Sequence, residues 1–244
     1  MNASANRASS RLRGSADAAA RGRSLGAAGA CLFALAALFL FGACTSGPPE
    51  ILRLEWTLDS RPGEGGSGYE SLTLFANVRD PDGIDDLEAL WVLDDSSERY
   101  WSLGPSSWVK KNSGDDVWIG SSNLCLPDRS PLSRRPWRVV VSDLSGNRGS
   151  LDFRIEEETR EMPALPRLAL SEGAYTLESF WPENYLVAYD GAGAVLRSVT
   201  LQAKAGRLER ALGTADSARA VTVAAYGCDP GAHRGAWSPR QKPR

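Results

Sequence analysis

The sequence is poor in the residues that enzymes most often use for proton transfer. It has one histidine in 244 residues, His233, and this histidine lies in a basic, proline-containing C-terminal stretch. A Ser-His-Asp triad or a Cys-His pair therefore cannot be assembled inside a folded site. Beyond the N-terminal segment the chain also lacks G-x-S-x-G, H-E-x-x-H and Gly-rich phosphate-binding motifs. We predict that the protein is not an enzyme.

The chain also lacks an excess of either charge. Its 28 basic and 30 acidic side chains give a formal net charge of −2, whereas a protein that binds nucleic acid through phosphate contacts usually carries a basic excess. We therefore predict no nucleic-acid partner. With 42% apolar and 24% charged residues, the composition is that of a globular protein. It excludes collagen-like, disordered and multi-pass membrane classes.

A long apolar run occupies residues 25–41. Five arginines precede it, and Gly42, Ala43 and Cys44 follow it, which is the order of a secretory signal peptide. The segment resembles a bacterial lipoprotein signal, in which a lipobox of Leu, a small residue, and Gly or Ala precedes the cysteine. Here Phe41 stands at the position of the Leu. The resemblance implies that residues 1–43 are removed and that Cys44 becomes an N-terminus acylated with palmitate-type chains.

Two other interpretations of this segment stay open: an uncleaved membrane anchor, and cleavage by ordinary signal peptidase that leaves Cys44 as a plain thiol. On the lipoprotein interpretation, residues 44–49 form a short tether and the membrane is a partner through the N-terminal lipid. Thr45 stands where an Asp would favour retention in the inner membrane. The resemblance therefore implies an outer-membrane location, facing the periplasm or the cell surface.

Few cysteines remain after such a cleavage. Cys31 lies inside the apolar run and Cys44 would be acylated, which leaves Cys125 and Cys228 in the folded part. Export permits a disulfide between them, and this bridge would close a loop of about 100 residues and stabilise the fold by about 4–5 kcal/mol. Two buried free thiols are the alternative.

Short runs of β-like sequence, separated by Gly, Pro, Asp, Asn and Ser, fill residues 50–156. One of them alternates cleanly, so that four apolar residues would share one face of a strand: Leu72, Leu74, Ala76 and Val78. This pattern is typical of a β-sandwich or a barrel.

Two turns in this region carry a resemblance to a known family. The first, from Val78 to Leu87, reads VRDPDGIDDL, and the second, from Val141 to Gly149, reads VSDLSGNRG. Asp and Asn cap such turns, and Gly supplies a positive φ without steric cost. Both turns resemble loops of bacterial immunoglobulin-like domains. The resemblance covers residues 50–156 and implies an all-β fold with an immunoglobulin-like β-sandwich, and a binding, adhesive or spacer role.

The residues that follow are predicted to form a smaller β-rich unit. The charged, proline-ended stretch 157–163 is typical of a linker, and further β-like runs occupy residues 164–228. The last stretch, residues 229–244, carries three prolines and several basic side chains. We predict that it is a disordered basic tail.

Four carboxylates lie close together in the first of the two turns: Asp80, Asp82, Asp85 and Asp86. Hard oxygen ligands on a turn are what Ca²⁺ requires, so these residues are a candidate Ca²⁺ site. The spacing is not that of an EF-hand, because Gly83 falls at the fourth position of the loop rather than the sixth. The alternative is that the side chains cap backbone N–H groups of their own turn.

Tryptophan is abundant, with eight residues in the chain. Trp91 and Trp137 are predicted to lie in the core, because each shares a strand face with aliphatic neighbours. Tyr100, Trp101 and Trp108 lie beside Ser, Gly, Pro and Lys, so they are candidates for an exposed surface that stacks against a glycan. Core packing is the alternative for these three residues as well.

Taken together, these patterns predict a lipid-anchored protein of the cell envelope with a non-catalytic binding or structural role. A glycan or another envelope protein is the expected partner, and Ca²⁺ is the one cofactor that the sequence suggests. Two other functions stay open: a carbohydrate-binding module that uses the exposed aromatics, and a small envelope hydrolase built on two carboxylates that meet in the fold.

Overall fold

The computed structural model describes residues 47–66, 68–156 and 164–243, and these residues are built mainly of β-strands. The strands are β1 (Glu50–Pro62), β2 (Gly68–Arg79), β3 (Leu87–Asp94), β4 (Arg99–Leu103), β5 (Val109–Ser113), β6 (Asp116–Leu124), β7 (Pro136–Asp143), β8 (Arg148–Arg154), β9 (Arg167–Ser171), β10 (Ala174–Glu178), β11 (Glu183–Tyr189), β12 (Val195–Thr200), β13 (Ala205–Arg207), β14 (Thr222–Asp229) and β15 (Arg234–Trp237). Two short helices, α1 (Leu208–Leu212) and α2 (Thr214–Arg219), precede β14. None of the helices within the described ranges is long and apolar enough to cross a bilayer.

The strands form three sheets in this part of the chain. The largest has eight strands in the order β12-β11-β14-β15-β1-β2-β6-β5, the second has the order β4-β3-β7-β8, and the third has the order β13-β10-β9. Neighbouring strands are antiparallel, except that β1 and β15 run parallel. The prediction of an all-β fold is confirmed.

Two of these sheets enclose a core in the N-terminal half of the chain, residues 47–156. The apolar residues of β2 that the sequence pattern places on one face are buried: Leu72, Leu74, Ala76 and Val78. They belong to one hydrophobic cluster with Leu90 of β3 and Val139 of β7, which lie in the four-stranded sheet. Trp137 is in the same cluster with 2% of its surface exposed, so its predicted place in the core is confirmed. Because the cluster draws on both sheets, they pack face to face as in a β-sandwich.

Trp91 is not in this core, and its predicted place there is wrong. The register between β3 and β7 shifts between Leu87 and Ala89, as it does at a β-bulge. Leu90 therefore faces the core, while Trp91 is half-buried with the guanidinium of Arg148 over its ring, 5.5 Å from the ring centroid. The bulge moves the tryptophan to the opposite face of the sheet from the one that the alternation predicts.

The C-terminal half, residues 164–243, extends the large sheet and adds the small one. Buried side chains of β11 and β14 share a second hydrophobic cluster with the small sheet and with Leu208 and Leu212 of α1. β15 then pairs with β1, where Arg234 lies opposite Leu58. Strands from the two units predicted over residues 50–156 and 164–228 thus belong to one sheet. The predicted linker, residues 157–163, lies outside the described residues.

The predicted disordered tail, residues 229–244, is ordered for most of its length, so this prediction is wrong. β15 lies between β14 and β1 in the large sheet, and Ala236 is fully buried there. Beyond the strand, Gln241 and Val223 exchange two backbone hydrogen bonds of 2.8 Å. β15 can lie this close to β14 because residue 235 is a glycine. A Cβ at Gly235 would lie 2.3 Å from the Tyr226 hydroxyl oxygen.

Of the two alternatives for Cys125 and Cys228, the structure shows free thiols and not a disulfide. Cys228 lies on β14 and Cys125 directly follows β6. Three strands, β15, β1 and β2, lie between β14 and β6 in the large sheet. Four interstrand steps amount to roughly 19 Å, whereas a disulfide needs Cα atoms less than about 7 Å apart. Burial, followed by the charges of nearby carboxylates, raises the pKa of the Cys228 thiol to about 11, so this thiol is protonated at neutral pH.

Candidate functional site

Two turns that contain aspartates form the candidate site. The first turn follows β2 and is closed by the Gly83 N–H, which donates to the Asp80 carbonyl oxygen at 3.1 Å. Gly83 has a φ of 107°, which glycine adopts without strain. A 3₁₀ turn over Ile84–Asp86 then leads into β3. Asp80 and Asp86 therefore stand at the two ends of this turn.

The second turn connects β7 to β8. Asp143 is the last residue of β7, and the Gly146 N–H donates to its carbonyl oxygen at 3.1 Å. The two carboxylate oxygens of Asp143 accept hydrogen bonds from Asn147, one from the backbone N–H at 2.7 Å and one from the side-chain amide at 2.8 Å. These contacts fix the orientation of a carboxylate that belongs to a fully buried residue.

The pairing of β3 with β7 brings the two turns together. Leu87 lies opposite Asp143 in the register, and the Leu144 N–H donates to the Asp86 carbonyl oxygen at 2.8 Å. As a result, one carboxylate oxygen from each of Asp80, Asp86 and Asp143 lies within 4.8 Å of the other two. We call these three residues the carboxylate cluster. Hard oxygen donors grouped in this way are able to hold a divalent cation.

The carboxylate cluster is an unfavourable place for three ionised groups. Desolvation and then the negative charges of Asp143, Asp80 and Asp82 raise the pKa of Asp86 above its ordinary value. Among the described residues, no salt bridge involves a member of the carboxylate cluster. In addition, Asp80 is only 8% exposed, and its Oδ2 is buried with no hydrogen-bond partner among the described residues.

The other two aspartates predicted as metal ligands point elsewhere. The Oδ2 of Asp82 accepts a hydrogen bond from the Gly47 N–H at 3.1 Å, and the exposed carboxylate of Asp85 forms an ion pair with Lys110 at 3.5 Å. Asp143, which the sequence prediction leaves out, completes the cluster instead. Its turn is visible as a motif in the sequence, but only the β3–β7 pairing shows that it meets the first turn.

The three aromatic residues predicted to bind a glycan are not equivalent in the structure. Tyr100 is 65% exposed. Trp101 packs against the core of the N-terminal half, stacked on Trp137 with 5.5 Å between the ring centroids. Trp108 packs against the same core and lines a different cleft. Tyr100 and Trp101 do line one open groove of about 680 Å³, together with residues 125–128.

The chain enters the fold beside the carboxylate cluster. Cys44 and the predicted signal peptide, residues 1–43, lie outside the described residues. Gly47, the first described residue, is bound to the Asp82 carboxylate, and Pro49 is buried. The backbone at Gly149 lies so near that a Cβ there would be 2.0 Å from the Pro49 carbonyl oxygen. The predicted tether is therefore held against the fold from Gly47 onward.

Comparisons with known proteins assign no family. No family model matches the chain, and no curated protein matches its sequence. Among solved structures, the chain is similar to Tp47, the 47-kilodalton lipoprotein of Treponema pallidum, with a TM-score of 0.39 and 11% sequence identity. The similarity covers 81% of this chain and 50% of that one, so this chain spans half the length of the protein it matches. A TM-score this low carries no functional assignment.

Proposed function

We propose that the protein is a lipid-anchored protein of the cell envelope with a non-catalytic binding or structural role. The place where the chain enters the fold indicates where such an anchor would act. Cys44 precedes Gly47 by three residues, and Gly47 is already bound to the surface of the fold. Three extended residues span at most about 11 Å. A lipid on Cys44 would therefore hold the end of the fold that carries the carboxylate cluster close to the bilayer.

The observation that carries this proposal is the sequence that precedes Cys44. The basic residues, the apolar run and the small residues Gly42 and Ala43 stand in the order that lipoprotein export signals share. A single acyl chain binds a bilayer only weakly, so stable anchoring needs two or more chains. An N-terminal cysteine of the lipoprotein type provides them.

Metabolic labelling with a palmitate analogue tests the anchor. In a bacterial host, the full-length protein should incorporate the label and sediment with membranes, whereas Cys44→Ala should not incorporate the label. Cys31→Ala is the matched control, because Cys31 lies inside the apolar run, and this variant should behave as the wild type. An unlabelled wild type, or a labelled Cys44→Ala variant, would contradict the proposal.

The outer membrane is the destination that we propose for the anchored protein, since Thr45 follows Cys44. Separation of inner and outer membranes on a density gradient should place the wild type in the outer-membrane fraction. Thr45→Asp should move it to the inner membrane, and Thr45→Ser, which keeps the hydroxyl, should not. A wild type that stays in the inner membrane would contradict this location.

Glycan binding is the second candidate role, and one observation favours it. Tyr100 presents a largely exposed ring at a groove that Trp101 also lines, and flat aromatic faces stack on sugar rings. A glycan array probed with the full-length protein should then give hits that Tyr100→Ala removes. Val195→Ala, at an exposed apolar residue of the edge strand β12, should retain them. An array without hits would contradict this role.

A further inference from the structure

We propose that the carboxylate cluster of Asp80, Asp86 and Asp143 binds one Ca²⁺ ion. The proposal concerns the folded part of the chain and does not depend on whether Cys44 carries a lipid. It gives a role to acidic side chains from two turns that are distant in the sequence and that the β3–β7 pairing brings together.

The negative charge of the cluster is not balanced by a cationic side chain among the described residues. A buried carboxylate is tolerated only when hydrogen bonds or an opposite charge compensate for its lost hydration. Asp80 is 8% exposed and its buried Oδ2 receives no hydrogen bond from the described residues. None of the salt bridges in this part of the chain reaches the cluster either. A divalent cation would supply the missing partner for Asp80 and reduce the repulsion among the three carboxylates.

Hydrogen bonds hold two of the three carboxylates of the cluster in fixed orientations. The Asp80 Oδ1 accepts the Asp82 N–H at 2.8 Å, and Asn147 holds both oxygens of Asp143. A carboxylate oxygen that accepts one hydrogen bond keeps a second lone pair. Both carboxylates are therefore oriented by N–H donors and still able to bind a metal. Donors fixed in this way lose little conformational entropy on binding an ion.

The chemistry of the donors selects the ion. The cluster consists of carboxylates alone, which favour hard cations over Zn²⁺ or Cu²⁺. Ca²⁺ binds oxygens at 2.3–2.6 Å, so oxygens on opposite sides of the ion lie about 4.6–5.2 Å apart; the corresponding separation around Mg²⁺ is only about 4.0–4.2 Å. The three oxygens lie within 4.8 Å of one another, a limit that oxygens around a single Ca²⁺ ion satisfy. Asp86 is half-buried, so water has access to the remaining coordination positions.

The site would also have a mechanical effect. The ion would join the β2–β3 turn to the β7–β8 turn, and the first of these turns carries Asp82, which binds Gly47. Bound Ca²⁺ would therefore stiffen the end of the fold at which the chain enters.

Calorimetric titration of the full-length protein, purified in detergent and stripped of metal with EDTA, tests the site. We expect one Ca²⁺ per chain with a Kd of about 10⁻⁴–10⁻³ M, the range of extracellular modules. At 10 mM Ca²⁺, we expect the Tm to rise by about 3–10 °C over the metal-free protein. Mg²⁺ at the same concentration should give less than half of this shift. An equal response to Mg²⁺ would overturn the assignment to Ca²⁺, and the absence of both heat and a Tm shift would overturn the site.

A matched pair of variants separates binding from folding. Asp86→Asn removes one ligand charge and should weaken Ca²⁺ binding at least tenfold, while its metal-free Tm should equal or exceed that of the wild type because a repulsive charge is lost. Asp85→Asn is the control, since Asp85 lies next in sequence but pairs with Lys110, and it should bind Ca²⁺ as the wild type does. Wild-type Ca²⁺ affinity in Asp86→Asn would overturn the proposal, as would equal losses in both variants.

Discussion

The Tyr226 hydroxyl donates a hydrogen bond to the Asp59 Oδ1 at 3.0 Å, although 167 positions separate the two residues in the sequence. Asp59 lies on β1 and Tyr226 on β14, and β15 runs between these strands. Asp59 is 1% exposed, and its other carboxylate oxygen accepts the Thr73 hydroxyl at 2.7 Å. The buried carboxylate therefore draws its donors from both halves of the chain, and the absence of a side chain at Gly235 lets the bond pass over β15.

Removal of this hydroxyl should destabilise the fold. Tyr226→Phe leaves the Asp59 Oδ1 without its donor, so the free energy of unfolding in urea should fall by about 1–3 kcal/mol. Tyr185→Phe is the matched control, because the Tyr185 hydroxyl binds the exposed Glu183 carboxylate, and its effect should stay within about 0.5 kcal/mol. Equal stabilities of the two variants would show that the Asp59 contact contributes nothing to folding.

The same carboxylate predicts a pH dependence of stability. Desolvation raises the pKa of Asp59 above its ordinary value of 3.8, against the opposing effects of Thr73, Arg61 and Tyr226. The folded state thus holds this proton more tightly than the unfolded state. The resulting stabilisation is complete below pH 3.8 and is lost as the pH rises through the folded-state pKa.

Asp59→Asn isolates this effect, because the other carboxyl groups titrate alike in both proteins. The free energy of unfolding of the wild type minus that of Asp59→Asn, measured by urea titration at a series of pH values, should decrease from acidic to neutral pH. A difference that stays constant, or that increases with pH, would contradict the raised pKa.

The strands are the part of the fold that the sequence predicts best, and the reason is physical. A strand that packs one face into the core of a sandwich has apolar residues at every second position, and β2 shows that period from Leu72 to Val78. The bulge after Leu87 cannot be recognised from such a pattern. One extra residue hardly changes the composition of a strand, but every side chain after it lies on the opposite face of the sheet from the one that alternation predicts. This is why alternation placed Trp91 on the wrong side of its sheet.

The remaining features of the fold and the site depend on pairing between distant strands, which the sequence alone does not reveal. Asp80 and Asp86 lie in one turn, so their proximity could be predicted from the sequence. Asp143 lies near them only because β3 pairs with β7. The C-terminal stretch has the composition of a disordered tail, and it is ordered because Ala236 finds a buried position between β1 and β14. Neither fact follows from local propensity, since both depend on partners distant in the chain.

The close approach of β8 to the start of β1 should be sensitive to a single methyl group. A Cβ at Gly149 would lie 2.0 Å from the Pro49 carbonyl oxygen, so Gly149→Ala forces the backbones apart. We expect a loss of about 1–3 kcal/mol in the free energy of unfolding, and faster proteolytic cleavage near residues 47–50. Gly104→Ala is the control, because its new Cβ would meet the nearest atom at 3.8 Å. Wild-type protection of residues 47–50 in Gly149→Ala would contradict the packing described.

The shared sheet predicts that the two halves of the chain unfold together. Leu186 of β11 is fully buried in the cluster of the C-terminal half, so Leu186→Ala should lower the free energy of unfolding by about 2–5 kcal/mol. Six of the eight tryptophans lie between residues 56 and 137, in the N-terminal half. If β1 and β15 couple the halves, tryptophan fluorescence and far-ultraviolet circular dichroism should shift to the same lower urea midpoint in this variant.

Val195→Ala, at a 58% exposed residue of β12, should leave both midpoints nearly unchanged. A fluorescence midpoint that stays at the wild-type value in Leu186→Ala would instead show two independently folding units, as the linker pattern in the sequence suggests.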